Sequence, residues 1–187
     1  MFIQTEATPN PATLKFIPGR PVLDAGTKDF RDVEAAAESP LAAQMFTIAG
    51  IVGVFFGADF ITVSKDESSE WQHLKPAILG AIMEHYVSGA PILADAGAGA
   101  TEQGTEDFDE ADGEIVTTIK ELLETRVRPA VAQDGGDITF RSYRDGVVFL
   151  HMRGACAGCP SSTATLKNGI ENLLRHFVPE VQEVRPV

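Results

Sequence analysis

Residues 138–177 read ITFRSYRDGVVFLHMRGACAGCPSSTATLKNGIENLLRHF and set the architecture of the second half of the chain. Residues 138–143 and 147–152 are predicted strands, because Asp145-Gly146 between them is a dipeptide that tight type I′ hairpin turns prefer. From about residue 160 to 177, apolar residues recur at helical spacing: Leu166, Ile170, Leu173, Leu174 and Phe177. A hairpin followed by a helix predicts a small α+β domain.

The residues on either side of this stretch extend the same domain. A helical stripe covers residues 115–127, and Pro129 should kink or end that helix because proline lacks the N–H and its ring clashes with the preceding turn. The run Asp134-Gly135-Gly136-Asp137 then predicts a turn with positive φ. A last strand is predicted near residues 181–185. We therefore assign residues 113–187 to a C-terminal α+β domain.

Residues 1–89 predict a second α+β domain. Strands are expected at 2–6 and 13–17, and a hairpin at 52–56 and 60–65. Ser39-Pro40 should open a short helix, with serine as N-cap and proline at the first helical position. A longer helix should cover residues 69–88 and end at Gly89. The fold class expected for the whole chain is thus α+β, with two small domains.

Residues 90–112 differ from both domains in composition. They hold no Lys or Arg and carry seven acids, which supply −7 of the net charge of −12: Asp95, Glu102, Glu106, Asp107, Asp109, Glu110 and Asp112. An acidic, Ala/Gly-rich segment without apolar periodicity repels itself and stays extended. We predict a flexible acidic linker, with a docking segment for a basic partner as the alternative.

Charge and hydropathy exclude several classes of partner. A net charge of −12 repels nucleic acid and anionic lipid. The longest apolar run, residues 49–56, is far below the roughly 18 residues of a membrane span. The first residues lack the features of a secretory or transit sequence, so the expectation is a cytoplasmic protein with reduced thiols. Nucleic acid and membrane are therefore not expected as partners.

The chain has two cysteines, Cys156 and Cys159, in the loop GACAGCPSS at residues 154–162. Glycines beside them let the backbone fold around both sulfurs. Pro160 fits the first helical position, which makes Cys159 the expected N-cap. Free amides and the helix dipole would then favour thiolate there. Thiolates bind metal.

Three functions for the chain remain open from the residues alone, and a structural zinc site is not among them. A structural zinc site normally takes four protein ligands, and the chain has no second CxxC; His151 and His176 are not suitably spaced. An iron-sulfur cluster can take four thiolates from two chains, and the result would be a carrier. The second function is that of a dithiol oxidoreductase or redox sensor. Such sites typically have a proline between the cysteines, whereas Ala157 and Gly158 lie between them here. The third function is that of an interaction module, which would act through the acidic linker and not through the cysteines.

Two blocks of the sequence resemble the NifU/Nfu family of iron-sulfur cluster scaffold and carrier proteins. The runs ETRVRPAVAQDGGDITF and DGVVFLHMRGACAGCPSSTATLKNGIENLLRHFVPEV resemble the NifU C-terminal domain. The runs MFIQTEATPNPATLKF and ESPLAAQMFTIAGIVGVFFGADFITVSK resemble the Nfu N-terminal domain. Together they cover nearly everything outside the acidic segment.

The resemblance implies a function and a site. Cys156 and Cys159 would ligate a [4Fe-4S] cluster that bridges two subunits, so that the loaded protein is a homodimer. The cluster would be received from upstream assembly proteins, or built in place, and passed to apo iron-sulfur client proteins. The protein would not be an enzyme, and without a transit sequence the bacterial cytoplasm is the expected location.

Overall fold

A computed structural model describes residues 1–94, 106–157 and 160–187, the side chains of residues 160–162 excepted. The chain divides into two compact units, Met1–Thr101 and Glu102–Val187. Each unit contains a β-sheet with helices, which confirms the predicted α+β class. None of the described helices is both long and apolar enough to cross a membrane.

The N-terminal unit is built on a five-stranded antiparallel sheet in the order β1-β2-β5-β4-β3. Its elements are β1 (Gln4–Ala7), β2 (Thr13–Ile17), β3 (Lys28–Phe30), α1 (Val33–Ala36), α2 (Pro40–Phe46), β4 (Ile51–Phe56), β5 (Ile61–Lys65) and α3 (Trp71–Ser88).

Local signals place the helix ends of this unit where the sequence predicts them. The Ser39 hydroxyl accepts a hydrogen bond from the Ala42 amide at 3.2 Å, and Pro40 is the first residue of α2. Gly89 ends α3 with a φ of +68°. The largest fully buried side chains of the unit form its core: Phe16, Phe30, Leu41, Met45, Phe55, Phe56, Ile61, Ile78 and Ile82.

Both described ends of the acidic segment pack on the units beside them. Ile92 and Leu93 lie against the N-terminal core, and the Ala94 amide donates to the Glu38 carbonyl at 2.8 Å. At the other end, the Tyr143 amide donates to the Asp107 carbonyl at 3.1 Å. Residues 95–105, which carry the middle of the predicted linker, lie outside the described residues.

The C-terminal unit has a three-stranded sheet in the order β6-β7-β8, with β6-β7 antiparallel and β7-β8 parallel. A 3₁₀ turn at Glu110–Asp112 leads into the remaining elements. These are α4 (Gly113–Leu122), a π-helical turn (Leu123–Val127), α5 (Arg128–Gln133), β6 (Gly136–Arg144), β7 (Val147–Gly154), α6 (Pro160–Phe177) and β8 (Glu183–Pro186).

Pro129 accounts for the π-helical turn. In a regular α-helix the Pro129 ring would clash with the carbonyl of Thr125, four residues earlier. The wider turn at Leu123–Val127 avoids this clash, and the chain stays helical through α5. The sequence predicts a kink or an end here, and the structure has a π-helical turn between α4 and α5.

Candidate functional site

The predicted cysteine loop connects the end of β7 to the start of α6. Pro160 is the first residue of α6, as predicted. Gly158 and Cys159 lie outside the described residues, so the predicted N-cap role of Cys159 stays a prediction. Gly154 ends β7 with a φ of +63°, and its carbonyl accepts a hydrogen bond from the Ala157 amide at 3.1 Å. The first half of the loop is therefore a defined turn.

Cys156 is buried in the core of the C-terminal unit, with 5% of its surface exposed. Its own carbonyl accepts a hydrogen bond from the Thr163 hydroxyl of α6 at 3.3 Å. Burial, with the charges of Asp134 and Asp137 acting in the same direction, raises the pKa of the Cys156 thiol to about 12. The thiol is consequently protonated near neutral pH in this conformation.

The Cys156 sulfur lies directly against Gly136, the first residue of β6. A Cβ at position 136 would overlap this sulfur, and it would also lie 2.9 Å from the Arg153 carbonyl oxygen and 3.0 Å from the Cys156 amide nitrogen. No side chain fits in that space. Gly135, the preceding residue, has a φ of +79° and so supplies the left-handed conformation predicted for the turn.

A partly buried ion pair between Arg128 and Asp137 lies at the start of β6, where the sulfur contacts Gly136. The Arg128 Nε donates to Asp137 Oδ1 at 2.8 Å and Nη2 donates to Oδ2 at 2.9 Å, a two-pronged arrangement. The Asp137 side chain is 4% exposed, and its Oδ1 also accepts from the Ile138 amide at 2.9 Å. The hydrogen bonds to Asp137 are the main cause that raises the pKa of Arg128 above its usual value.

Other candidate ligands of the described chain do not gather into a metal site. His176 is exposed near the end of α6 and packs edge-on against the Phe177 ring. His151 lies in β7, paired in register with Thr139. Within the described ranges no group of three or more His, Cys, Asp or Glu side chains could hold a metal ion.

The site's chemistry follows from this donor set. A thiol whose pKa is about 12 is a poor nucleophile at neutral pH, which argues against a dithiol oxidoreductase acting from this conformation. A soft metal, by contrast, can displace the thiol proton on binding. The residues suit an iron-sulfur cluster that is delivered to thiolates and shared with further ligands.

Sequence reasoning identified the cysteines and the Asp134–Asp137 turn but missed Arg128. The available signal was Asp137 itself, because it directly precedes the predicted strand at 138–143, and a carboxylate that is buried there requires a cation. The partner lies nine residues earlier in the chain. Neither helical nor strand spacing pairs residues at that distance, so the partner could not be chosen from the sequence.

Comparison with known proteins places both units in one family. The family profile described as "Scaffold protein Nfu/NifU N terminal" matches residues 3–89, and the profile described as "NifU-like domain" matches residues 119–185. A solved structure, the solution NMR structure of a NifU-like protein from Saccharomyces cerevisiae, is 25% identical with a TM-score of 0.47. The match covers 51% of this chain and 86% of that one.

Curated relatives match over essentially the whole chain. "NifU-like protein 4, mitochondrial" from Arabidopsis thaliana is 52% identical over 98% of the chain and 65% of the relative. "NFU1 iron-sulfur cluster scaffold homolog, mitochondrial" from Homo sapiens is 50% identical over 100% of the chain and 72% of the relative. The chain thus spans roughly two thirds of the length of the relatives it matches.

These names contradict one expectation from the sequence. The relatives are named as mitochondrial proteins, so the predicted cytoplasmic location is wrong by this comparison. The prediction depended on features of the first residues of the chain. Those residues carry no information on location when the chain aligns with only part of each relative.

Proposed function

The chain belongs to the Nfu/NifU family of scaffold proteins, and from that premise we propose that it is a non-enzymatic carrier of iron-sulfur clusters. In the proposal, Cys156 and Cys159 from each of two copies hold one [4Fe-4S] cluster between them. The carrier receives the cluster from upstream assembly proteins and gives it to apo iron-sulfur clients. Curated relatives carry the name iron-sulfur cluster scaffold.

The observation that carries the proposal is the shortage of ligands around Cys156. The chain has two cysteines, and no group of three potential ligands occurs within its described residues. A [4Fe-4S] cluster needs four thiolates, and a twofold pair of CxxC loops supplies them. With only two protein ligands per chain, each copy leaves the cluster accessible to an incoming client thiol.

The burial of Cys156 favours a carrier over a permanent redox centre. The thiol is stored in the core with its proton in place, and cluster binding must both expose the sulfur and remove that proton. These costs weaken cluster binding relative to an already exposed pair of thiolates. Weak, reversible binding is what transfer to a client requires.

The two units divide the work in this proposal. The C-terminal unit holds the cluster, and the N-terminal unit, which has no cysteine, recognises clients or assembly proteins. Residues 95–105 would act as the spacer between them. The shortage of ligands around Cys156, and not the charge of the spacer, is the feature from which the function is inferred.

Cluster transfer to a defined acceptor tests the proposal. The protein is reconstituted anaerobically with iron and sulfide, freed of excess reagents, and mixed with a bacterial-type apo-ferredoxin whose [4Fe-4S] absorbance is followed. We expect about two irons per chain and transfer to the ferredoxin, and neither in Cys156→Ser or Cys159→Ser. His176→Ala is the matched control, since it changes an exposed potential ligand of the same unit.

Full iron and sulfide content in a Cys156→Ser, Cys159→Ser double variant would refute the proposed ligands. Reversible disulfide formation with turnover in an insulin reduction assay, and no cluster uptake, would favour the dithiol oxidoreductase instead.

A further inference from the structure

We propose that Arg128 is a positioning residue for the cysteine loop, acting through Asp137 and Gly136 on the place of the Cys156 sulfur. The inference deepens the proposed function and rests on it where cluster binding is concerned. The positioning itself is a property of the cluster-free protein. The first observation behind it is the contact between Gly136 and the Cys156 sulfur. The sulfur fills the space that any side chain at position 136 would need.

The backbone around Gly136 is joined to the cysteine loop at several points. Gly136 pairs with Gly154 in the β6-β7 ladder, and Asp137 pairs with Arg153. The Ala155 amide, next to Cys156, donates to the Gly135 carbonyl at 3.2 Å. A shift of the first residues of β6 would therefore move both the surface under the sulfur and the backbone that carries it.

Arg128 holds these first residues through Asp137. Its guanidinium makes two hydrogen bonds, of 2.8 and 2.9 Å, to the buried carboxylate of Asp137. The same guanidinium pairs through Nη1 with Glu124 one helical turn earlier. The ion pair thus ties the first residue of α5 to the strand residue that follows Gly136.

The geometry requires arginine and not merely a positive charge. Two parallel hydrogen bonds to one carboxylate fix both its position and its orientation, which the single ammonium of lysine does not do. The residue therefore orients the first residues of β6.

The exposure of Cys156 in the cluster-free full chain is the primary test. In a Cys159→Ser background the only remaining thiol is Cys156, so its alkylation by iodoacetamide at one fixed pH is followed by intact mass. We expect alkylation to be roughly tenfold faster in Arg128→Met, with a smaller increase in Arg128→Lys, because a less firmly held β6 end lets the buried sulfur open to solvent more often.

Two matched variants separate positioning from general effects. Arg144→Met removes an exposed ion pair of β6, which Arg144 at the other end of that strand forms with Asp107 at 2.7 Å. Val184→Ala opens the buried core at a strand residue that pairs with Val148, six residues along β7 from Gly154. We expect neither variant to change the alkylation rate by more than about twofold, because neither touches the β6 end at Gly136.

Each result decides the inference. A folded Arg128→Met with the wild-type rate, or a Val184→Ala rate that rises as much, would overturn it. If Arg128→Met does not fold, Arg128→Lys carries the test, and a wild-type rate in that variant would also overturn it.

The link to the cluster is measured separately. Loaded Arg128→Lys should hold its cluster longer against a chelator than wild type does, because less free energy is then spent on exposing the sulfur, with Arg144→Met unchanged. Faster alkylation with an unchanged or shorter cluster lifetime would overturn the claim that the positioning sets the cost of cluster binding. A wild-type protein that takes up no cluster would defeat the proposed function, while the alkylation rates would still decide the role of Arg128.

Discussion

The Cys156 sulfur occupies the space that a side chain at Gly136 would need. The Arg153 carbonyl oxygen and the Cys156 amide nitrogen close the same space, at 2.9 and 3.0 Å from an ideal Cβ. Backbone atoms cannot move aside as the end of a flexible side chain can. The glycine is therefore required by contact with the cysteine loop.

Replacing this glycine should displace the sulfur. We expect Gly136→Ala to destabilise the C-terminal unit by about 1–3 kcal/mol, the usual cost of inserting a methyl group into a packed core. Hydrogen exchange of peptides from β6 and β7 would measure the loss. Alkylation of Cys156 should become faster in the same variant.

Gly169 in α6 is the matched control for this substitution. A Cβ there would meet no heavy atom within 4 Å, so Gly169→Ala should stabilise the helix by about 0.5–1 kcal/mol. Equal protection in Gly136→Ala and wild type would show that the sulfur does not rest where the structure has it.

A buried histidine should make the N-terminal unit sensitive to acid. His85 is 4% exposed, its Nε2 has no hydrogen-bond partner in the described structure, and burial lowers its pKa below the ordinary 6.5. The folded state then binds fewer protons than the unfolded chain. Stability is complete above about pH 6.5 and falls as the pH drops below it, by at most about 1.4 kcal/mol per pH unit.

The single tryptophan, Trp71 in α3, reports on this unit alone. Urea unfolding followed by its fluorescence between pH 7.5 and 5 should show the fall in wild type and a flatter profile in His85→Gln. His73→Gln, on the exposed face of the same helix, should keep the wild-type profile. Parallel profiles for the wild type and His85→Gln would rule out this histidine as the cause.

Ser39 should stabilise the N-terminal unit through two contacts. Its hydroxyl accepts from the Ala42 amide as the cap of α2 and donates to the Ile92 carbonyl, which ties residues 90–94 to the unit. We expect Ser39→Ala to cost about 1–2 kcal/mol in the Trp71 unfolding assay. Ser68→Ala, which removes an exposed hydrogen bond to Asp66, should cost much less; equal costs would contradict the assigned role.

Much of the fold could be predicted because local signals and packing agree. Asp145 and Gly146 adopt φ values of +52° and +79°, as the hairpin turn between β6 and β7 requires. Pro160 begins α6, and Gly89 ends α3. In each case a single residue's backbone preference is enough to fix the boundary.

The missed features depend on contacts between distant residues. β3 and α1 have three and four residues, too few for a periodic pattern to be visible. Ile92 and Leu93 look like part of a polar segment and are placed by the core they meet. Arg128 and Asp137 are brought together only by the π-helical turn and the start of β6.

The central claim is that two copies of the chain share one cluster through Cys156 and Cys159, and anaerobic native mass spectrometry after reconstitution tests it most directly. The account predicts a dimer that carries the mass of one [4Fe-4S] unit, absent in the double-serine variant. A monomer whose oxidised and reduced forms differ only by two hydrogens would contradict it.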